Sequence, residues 1–171
     1  MPKIINQAIE NVSLSLLKPH DRNVNQGDFG AIAESIETNG FFGCLVVSRR
    51  TGHILVGNHR YHVAKAQGFS ELPCAFVDVS PEQELRILLA DNRTARLGMD
   101  NEAALAELLA ELDKTDIGLT GTGFDGDDLD ALIGSLTSPD FEPSTLEEQG
   151  RLDQKASVTC PECGHEFTPK N

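Results

Sequence analysis

No stretch of this chain reaches the roughly 18 consecutive apolar residues that a bilayer crossing requires, so no membrane-spanning helix is expected. The opening residues, MPKIINQAIE, lack an apolar core followed by a small-residue cleavage site, so no secretory signal is read there and a cytoplasmic setting is expected. Cysteine is scarce, with four in 171 residues. Cys44 and Cys74 stand singly in apolar runs, where a thiol serves as a small buried hydrophobe. Cys160 and Cys163 form a C-x-x-C, and a secreted disulfide framework is excluded. No internal repeat is present. Positive charge is also missing from half of the chain. The formal net charge is −13, and residues 1–96 hold ten Lys/Arg against ten Asp/Glu, whereas residues 97–171 hold four against seventeen. Affinity for nucleic acid grows with each phosphate neutralised. A chain this acidic should therefore bind DNA only weakly, and through its neutral first half.

What is present reads as alternating strands and helices. A strand is expected near 12–16, followed by a polar loop. DFGAIAESIETNG carries Asp28 as N-cap, apolar residues at helical spacing and Gly40 as C-cap. FGCLVVSRRTGHILVG is two apolar runs joined by Arg49–Gly52, a hairpin. A helix is expected over about 58–67, ended by Gly68, and LPCAFVDV is a further strand. SPEQELRILLADNRTARL opens with Ser80 as N-cap, Pro81 in the first turn and Gln83 closing a capping box, with Leu85, Leu88 and Leu89 as its buried face. NEAALAELLAEL sets Leu105, Leu108, Leu109 and Leu112 on one face. FDGDDLDALIGSL is a shorter helix with acidic residues at its positive end. This divides the chain into an α/β domain at 1–97, a helical acidic extension at 98–136, a flexible linker at 137–157 and a C-x-x-C tail at 158–171.

The stretch HILVGNHRYHVAKAQG, residues 53–68, carries the most chemistry. Gly57 ends a strand and Asn58 opens a helix whose first N–H groups have no partner within the helix. Such an end attracts anions, a glycine lets an oxyanion approach closely, and Arg60 and His59 can add donors. The spacing is open between phosphate binding and a polar first turn in which Arg60 meets a surface carboxylate. His59 and His62, three apart on one helix face, are a weak metal pair without an evident third ligand. In the tail, CPECGHEF has the shape of a zinc knuckle, with Gly164 permitting the turn. Cys160 and Cys163 offer half of a four-ligand site, which a second chain could complete as a homodimer clip; two free thiols is the other reading.

The succession LLKPHDRNVN, IAESIETNGFFGCLVV, GHILVGNHRYHVAKAQG and LPCAFVDVSPEQELRILLADNR resembles the ParB N-terminal domain of the ParB/sulfiredoxin superfamily, often labelled a ParB-like nuclease domain, over about residues 11–97. LADNRTARL followed by LAELLAEL and GTGFDGDDLDALIG looks like the bacteriophage and actinobacterial versions, some of which are fused to DNA methyltransferases, although no methyltransferase motif is present here. The resemblance implies a ParB/sulfiredoxin-like fold, a small mixed sheet with surrounding helices. It implies that Gly57, Asn58, His59 and Arg60 form the G-x-x-R box that cradles nucleotide phosphates, CTP in ParB and ATP in sulfiredoxin. Arg22 and Asn23 match the arginine-bearing loop that makes a second phosphate contact. Asp91 and Asn92, beside Arg93, fall where ParB holds Mg²⁺ on the nucleotide, which suits the oxygen preference of that ion; a helix C-terminal cap is the other reading of this pair. Sulfiredoxin has a reactive cysteine where this chain has Asn58, so its thiol chemistry is not expected. The implied function is a nucleotide-dependent, DNA-associated accessory or regulator of a phage or mobile element. The alternative is an enzyme (nuclease, nucleotidase or small kinase) using the same cradle, with His59 and Glu34 as its catalytic groups. The acidic helices that follow the domain argue against base-specific reading, which leans on Arg and Lys. A remoter option is that they mimic DNA.

Overall fold

The computed structural model describes residues 8–137 and 158–167. Strand β1 (Ile9–Ser13) runs into a single 3₁₀ turn, Leu14–Leu16, and then into the two-residue β2 (Lys18–Pro19). The expected strand at 12–16 thus lies three residues earlier. Leu14 and Leu17 are both buried, and a spacing of three suits a helical turn rather than an alternating strand. Helix α1 (Phe29–Asn39) starts where Asp28 accepts the Gly30 and Ala31 N–H groups, and it ends at Gly40 with φ 75°. The hairpin strands are β3 (Leu45–Ser48) and β4 (His53–Val56), antiparallel as expected. Then come α2 (Asn58–Ala66), β5 (Glu71–Val77) and α3 (Pro81–Ala95). The Ser80–Gln83 capping box at the start of α3 is formed in both directions.

The five strands make one mixed sheet in the order β1-β5-β3-β4-β2. The β3–β5 and β2–β4 pairs are parallel, and the other two are antiparallel. One face buries Leu45, Val47, Ile54, Leu72 and Cys74 against Tyr61 and Ala64 of α2. The other buries Leu55, Val77 and Val79, with Ile87 of α3 packed on them. This is the expected α/β architecture, and Cys74 is the small hydrophobe foreseen; burial, with a lesser contribution from Cys44, pushes its thiol up to about 11.

The inward face of α3 departs from the expectation. Leu88 is buried, Leu85 is half-buried, and Leu89 is exposed; Glu84 is buried in their stead. A carboxylate tolerates that position because three donors meet it there: Ser48 Oγ at 2.6 Å, Arg50 Nη2 at 2.9 Å and Thr51 Oγ1 at 3.2 Å.

Helices α4 (Glu102–Leu112) and α5 (Gly126–Thr137) follow, with Leu109, Leu119 and Leu129 buried together. Leu105 packs on that cluster, but Leu108 and Leu112 are exposed, so the four-leucine face is only half used. The extension is tied to α1, where Gly121 N–H donates to the Glu34 carboxylate at 3.1 Å and Asn39 Nδ2 donates to Gly121 O at 3.0 Å. Chain contacts divide into two compact units, 1–137 and 138–171, so the expected domain and extension fall in one unit. Of the expected linker, only Thr137 lies within the described residues, as the end of α5. In the second unit, β6 (Val158–Thr159) and β7 (Glu166–Phe167) pair antiparallel around the C-x-x-C turn. No helix among the described residues is long and apolar enough to cross a membrane.

Candidate functional site

Strand β4 carries the chain out of the sheet to Gly57, whose φ of 92° lies in the left-handed region. A side chain there would be strained by its backbone, and its Cβ would stand 2.6 Å from Leu45 Cδ2 and 3.2 Å from Arg60 Nη2. Glycine is therefore required both for the turn and for the close approach. The turn aims the first N–H groups of α2 into a cleft of about 170 Å³. Its lining brings together three separated stretches of sequence: Asn23 and Asn25, Gly57 to Arg60 with the end of β4, and Asp91 with Asn92.

Arg60 makes no ion pair among the described residues. Its guanidinium donates to the Phe42 and Cys44 carbonyls at 3.3 and 3.4 Å and lies 6.0 Å from the Phe41 ring centroid. The surface-carboxylate reading of Arg60 is not what the fold shows. Held by neutral carbonyls beside a positive helix end, the guanidinium shares the cleft with Asp91 but makes no ion pair with it. The third stretch sits within α3, several residues before its C-cap at Arg96, so Asp91 and Asn92 are not capping residues. Asn92 Nδ2 donates to Leu88 O at 2.9 Å, which orients the amide and leaves its oxygen as a ligand.

Asn58 behaves differently from the sequence expectation. Its side chain is buried, accepts His20 N–H at 2.9 Å and donates to Ile54 O at 3.0 Å. It pins the 20–28 loop to β4, so only its main chain can serve a phosphate. His59 is similarly bound to that loop. Its Nε2 lies 3.1 Å from Gly27 N and 3.0 Å from Asn25 O, accepting from the first in one tautomer and donating to the second in the other. Gly27 is needed here for proximity, since a Cβ would come within 2.9 Å of the imidazole. Phe29 meets the same ring edge-on at 5.5 Å, and Arg96 donates to the Asn25 side chain, closing α3 onto the loop.

Two expected residues lie elsewhere. Glu34 does not line the cleft; its carboxylate holds Gly121 N–H. Arg22 is exposed and lines neighbouring cavities rather than this one. Asn25 and Arg96 were missed, although Asn25 lies two residues beyond Asn23 in the loop that was singled out. In the separate tail unit, Cys160 N–H donates to His165 O and Gly164 N–H to Cys160 O, both at 2.9 Å. Backbone hydrogen bonds from Glu162 and Cys163 hold the Cys160 thiol below its ordinary range, which favours the thiolate a metal needs. His59 and His62 belong to no group of three metal-ligating side chains among the described residues.

Comparison with known proteins bears on the fold. No curated protein matches the chain significantly. Among solved structures, a C-terminally truncated chromosome-partitioning protein ParB from Caulobacter crescentus, complexed with CTP-γ-S, superposes with a TM-score of 0.62 at 16% identity, covering 78% of this chain and 81% of that one. A pNOB8-like ParB-N domain gives 0.48 at 17% identity, covering 79% and 63%. Sulfiredoxin from Arabidopsis thaliana gives 0.40 at 21%, covering 48% and 97%. Residues 103–161 match the ParB-methyltransferase HTH domain. Residues 3–93, which include every residue that lines the cleft, match the ParB N-terminal domain, and the chain belongs to that family.

Proposed function

We propose that this chain is a nucleotide-responsive, DNA-associated protein of the ParB type, of the kind that serves partition or regulation in a phage or other mobile element. The observation that carries the reading is the cleft itself. Bare amides at the start of α2, an unpaired Arg60, and an acid–amide pair from α3 converge on one polar space from separate stretches of sequence. A nucleoside triphosphate meets these needs: its phosphates fit the helix end and guanidinium. Asp91 and Asn92 would hold Mg²⁺, which prefers one or two protein oxygens and takes the remainder from phosphate and water. The ParB relative complexed with CTP-γ-S supports a nucleotide ligand, CTP or ATP. Binding would favour one arrangement of the 20–28 loop, which His59, Asn58 and Arg96 already join to the cleft.

DNA association rests on the family. It should be weak. Residues 103–161, the part that matches an HTH domain, carry three Lys/Arg (Lys114, Arg151 and Lys155) against thirteen Asp/Glu, so that part offers little to phosphates. The enzyme alternative gains no support from Glu34, which lies outside the cleft, and His59 Nε2 is held by the loop. Cys160 and Cys163 are read as half of a zinc site completed by a second copy of the chain. The test is thermal-shift screening of the full chain against CTP, ATP and GTP, each with and without Mg²⁺. A rise in melting temperature with one triphosphate, larger with Mg²⁺ and absent in Arg60→Ala, is expected. No shift with any of them would remove the reading.

A further inference from the structure

At the start of the 20–28 loop, His20, His53 and Glu84 come together, with one ligand atom of each within 4.8 Å of the others. They come from three places in the chain: the residue after β2, the first residue of β4 and the first turn of α3. The His20 and His53 rings are 5.0 Å apart, centroid to centroid. His20 and Glu84 are more than nine-tenths buried, and His53 is half-buried. All three line a cavity of about 300 Å³ that Asp21, Arg22, Arg50 and Thr51 also border. None of its lining residues belongs to the nucleotide cleft.

The packing around Glu84 is unusual. Ser48, Arg50 and Thr51 all donate to Oε1, and Oε2 takes no hydrogen bond from the described residues. That leaves Oε2 available toward the cavity that Glu84 lines. Burial pulls the Glu84 carboxyl upward, but the hydrogen bonds and the Arg50 charge outweigh it and hold the group below its ordinary range, so it is anionic. Burial first, and then the neighbouring His53, hold His20 below its ordinary range, which favours the neutral imidazole that a metal takes. Two imidazoles and one carboxylate with a cavity in front form a donor set for a divalent transition metal with an open coordination position. Magnesium and calcium, which want oxygen ligands, fit it poorly.

We infer that His20, His53 and Glu84 form a second metal site, one that takes Zn²⁺ or a similar divalent transition ion independently of the nucleotide cleft and of the cysteine tail. An ion with bonds of about 2.1 Å sets tetrahedral ligands roughly 3.4 Å apart, which small side-chain rotations reach from the present arrangement. His20 Nδ1 now accepts Arg22 N–H at 3.1 Å. Ligation through Nε2 moves the ring proton to Nδ1 and releases that bond, so the ion would also loosen the start of the loop that borders the nucleotide cleft.

The experiment uses the full chain carrying Cys160→Ser and Cys163→Ser, so that the tail thiols take no metal. Zn²⁺ is measured by equilibrium dialysis, and Co²⁺ by its visible absorption. One ion per chain is expected, with Co²⁺ bands that lack thiolate charge transfer. His53→Ala and Glu84→Gln should each weaken binding at least tenfold. His53 is half-buried, and its variant, checked by circular dichroism, keeps the test informative if Glu84→Gln does not fold. Zn²⁺ should raise the melting temperature of the parent but not of His53→Ala. Absence of stoichiometric binding, or equal affinity in parent and His53→Ala, would overturn the inference. So would a cavity that is stabilised by inorganic phosphate and indifferent to Zn²⁺, since Arg22 and Arg50 would then be serving an anion.

Discussion

Replacing Asn58 by alanine separates a residue that holds the cleft from one that touches its ligand. The side chain makes two hydrogen bonds in a buried setting, one from His20 N–H at 2.9 Å and one to Ile54 O at 3.0 Å. Removing it strands a main-chain donor and an acceptor with no solvent to replace the asparagine, and each stranded group costs about 1–3 kcal/mol. Alanine's better helix propensity returns about 0.5 kcal/mol. A net loss of about 1.5–5.5 kcal/mol follows, or roughly 5–17 °C in melting temperature for a unit of this size, at about 3 °C per kcal/mol. Urea unfolding followed by far-UV circular dichroism would measure it, and an unchanged slope with a lower midpoint is expected. Nucleotide affinity should fall as well, because the 20–28 loop loses its anchor to β4. Full stability together with lost affinity would refute this, since it would place the Asn58 side chain on the ligand.

Gly57→Ala should unfold more easily by about 2–4 kcal/mol, from a left-handed backbone and the 2.6 Å approach to Leu45, and should lose nucleotide binding; denaturant titration with a binding isotherm checks both. In metal-free protein, Glu84 has a folded pKa below its ordinary 4.5, so its stabilising contribution is complete above that value and is lost as pH falls through the folded pKa. Glu84→Gln should flatten the acid limb of a stability–pH profile below about pH 4.5, and an unchanged acid limb would contradict the assignment. Glu34→Gln should leave nucleotide affinity unchanged and speed amide exchange at Gly121, whose N–H it holds. A DNA mobility shift should be visible at about 50 mM salt and lost near 200 mM, given how few cations are available; retention at the higher salt would show a basic surface this account lacks.

Local chemistry made much of the fold legible. The Asp28 cap, the Ser80–Gln83 box, the hairpin at 45–56 and the glycine at 57 each depend on neighbours a few residues away, and all are present in the structure. Composition also placed the acidic excess in the second half. What failed depends on partners distant in sequence. Helical spacing puts Glu84 one turn from Leu88 and well round the helix from Leu89, but hydropathy alone prefers the leucine. Glu84 is inside because Ser48, Arg50 and Thr51, more than 30 residues earlier, supply its donors. Asn58 looked like a ligand because it sits in the phosphate-binding motif, yet its side chain points back to His20, 38 residues away. Glu34 looked available because a helix surface gives no sign that Gly121 will dock there. The His20–His53–Glu84 cluster was invisible for the same reason. His20 stood in a polar loop and His53 in a strand, and nothing in either stretch refers to the first turn of α3.

Calorimetric titration of the triphosphate that most stabilises the full chain, with Mg²⁺ present, into wild-type protein and Arg60→Ala tests the central claim most directly. The wild type should bind one nucleotide per chain, and Arg60→Ala should bind at least tenfold more weakly, as the loss of a charge-assisted contact of about 1.5–3 kcal/mol requires. Equal affinities, or no binding heat in the wild type at any accessible concentration, would mean that the cleft at the start of α2 is not a nucleotide site.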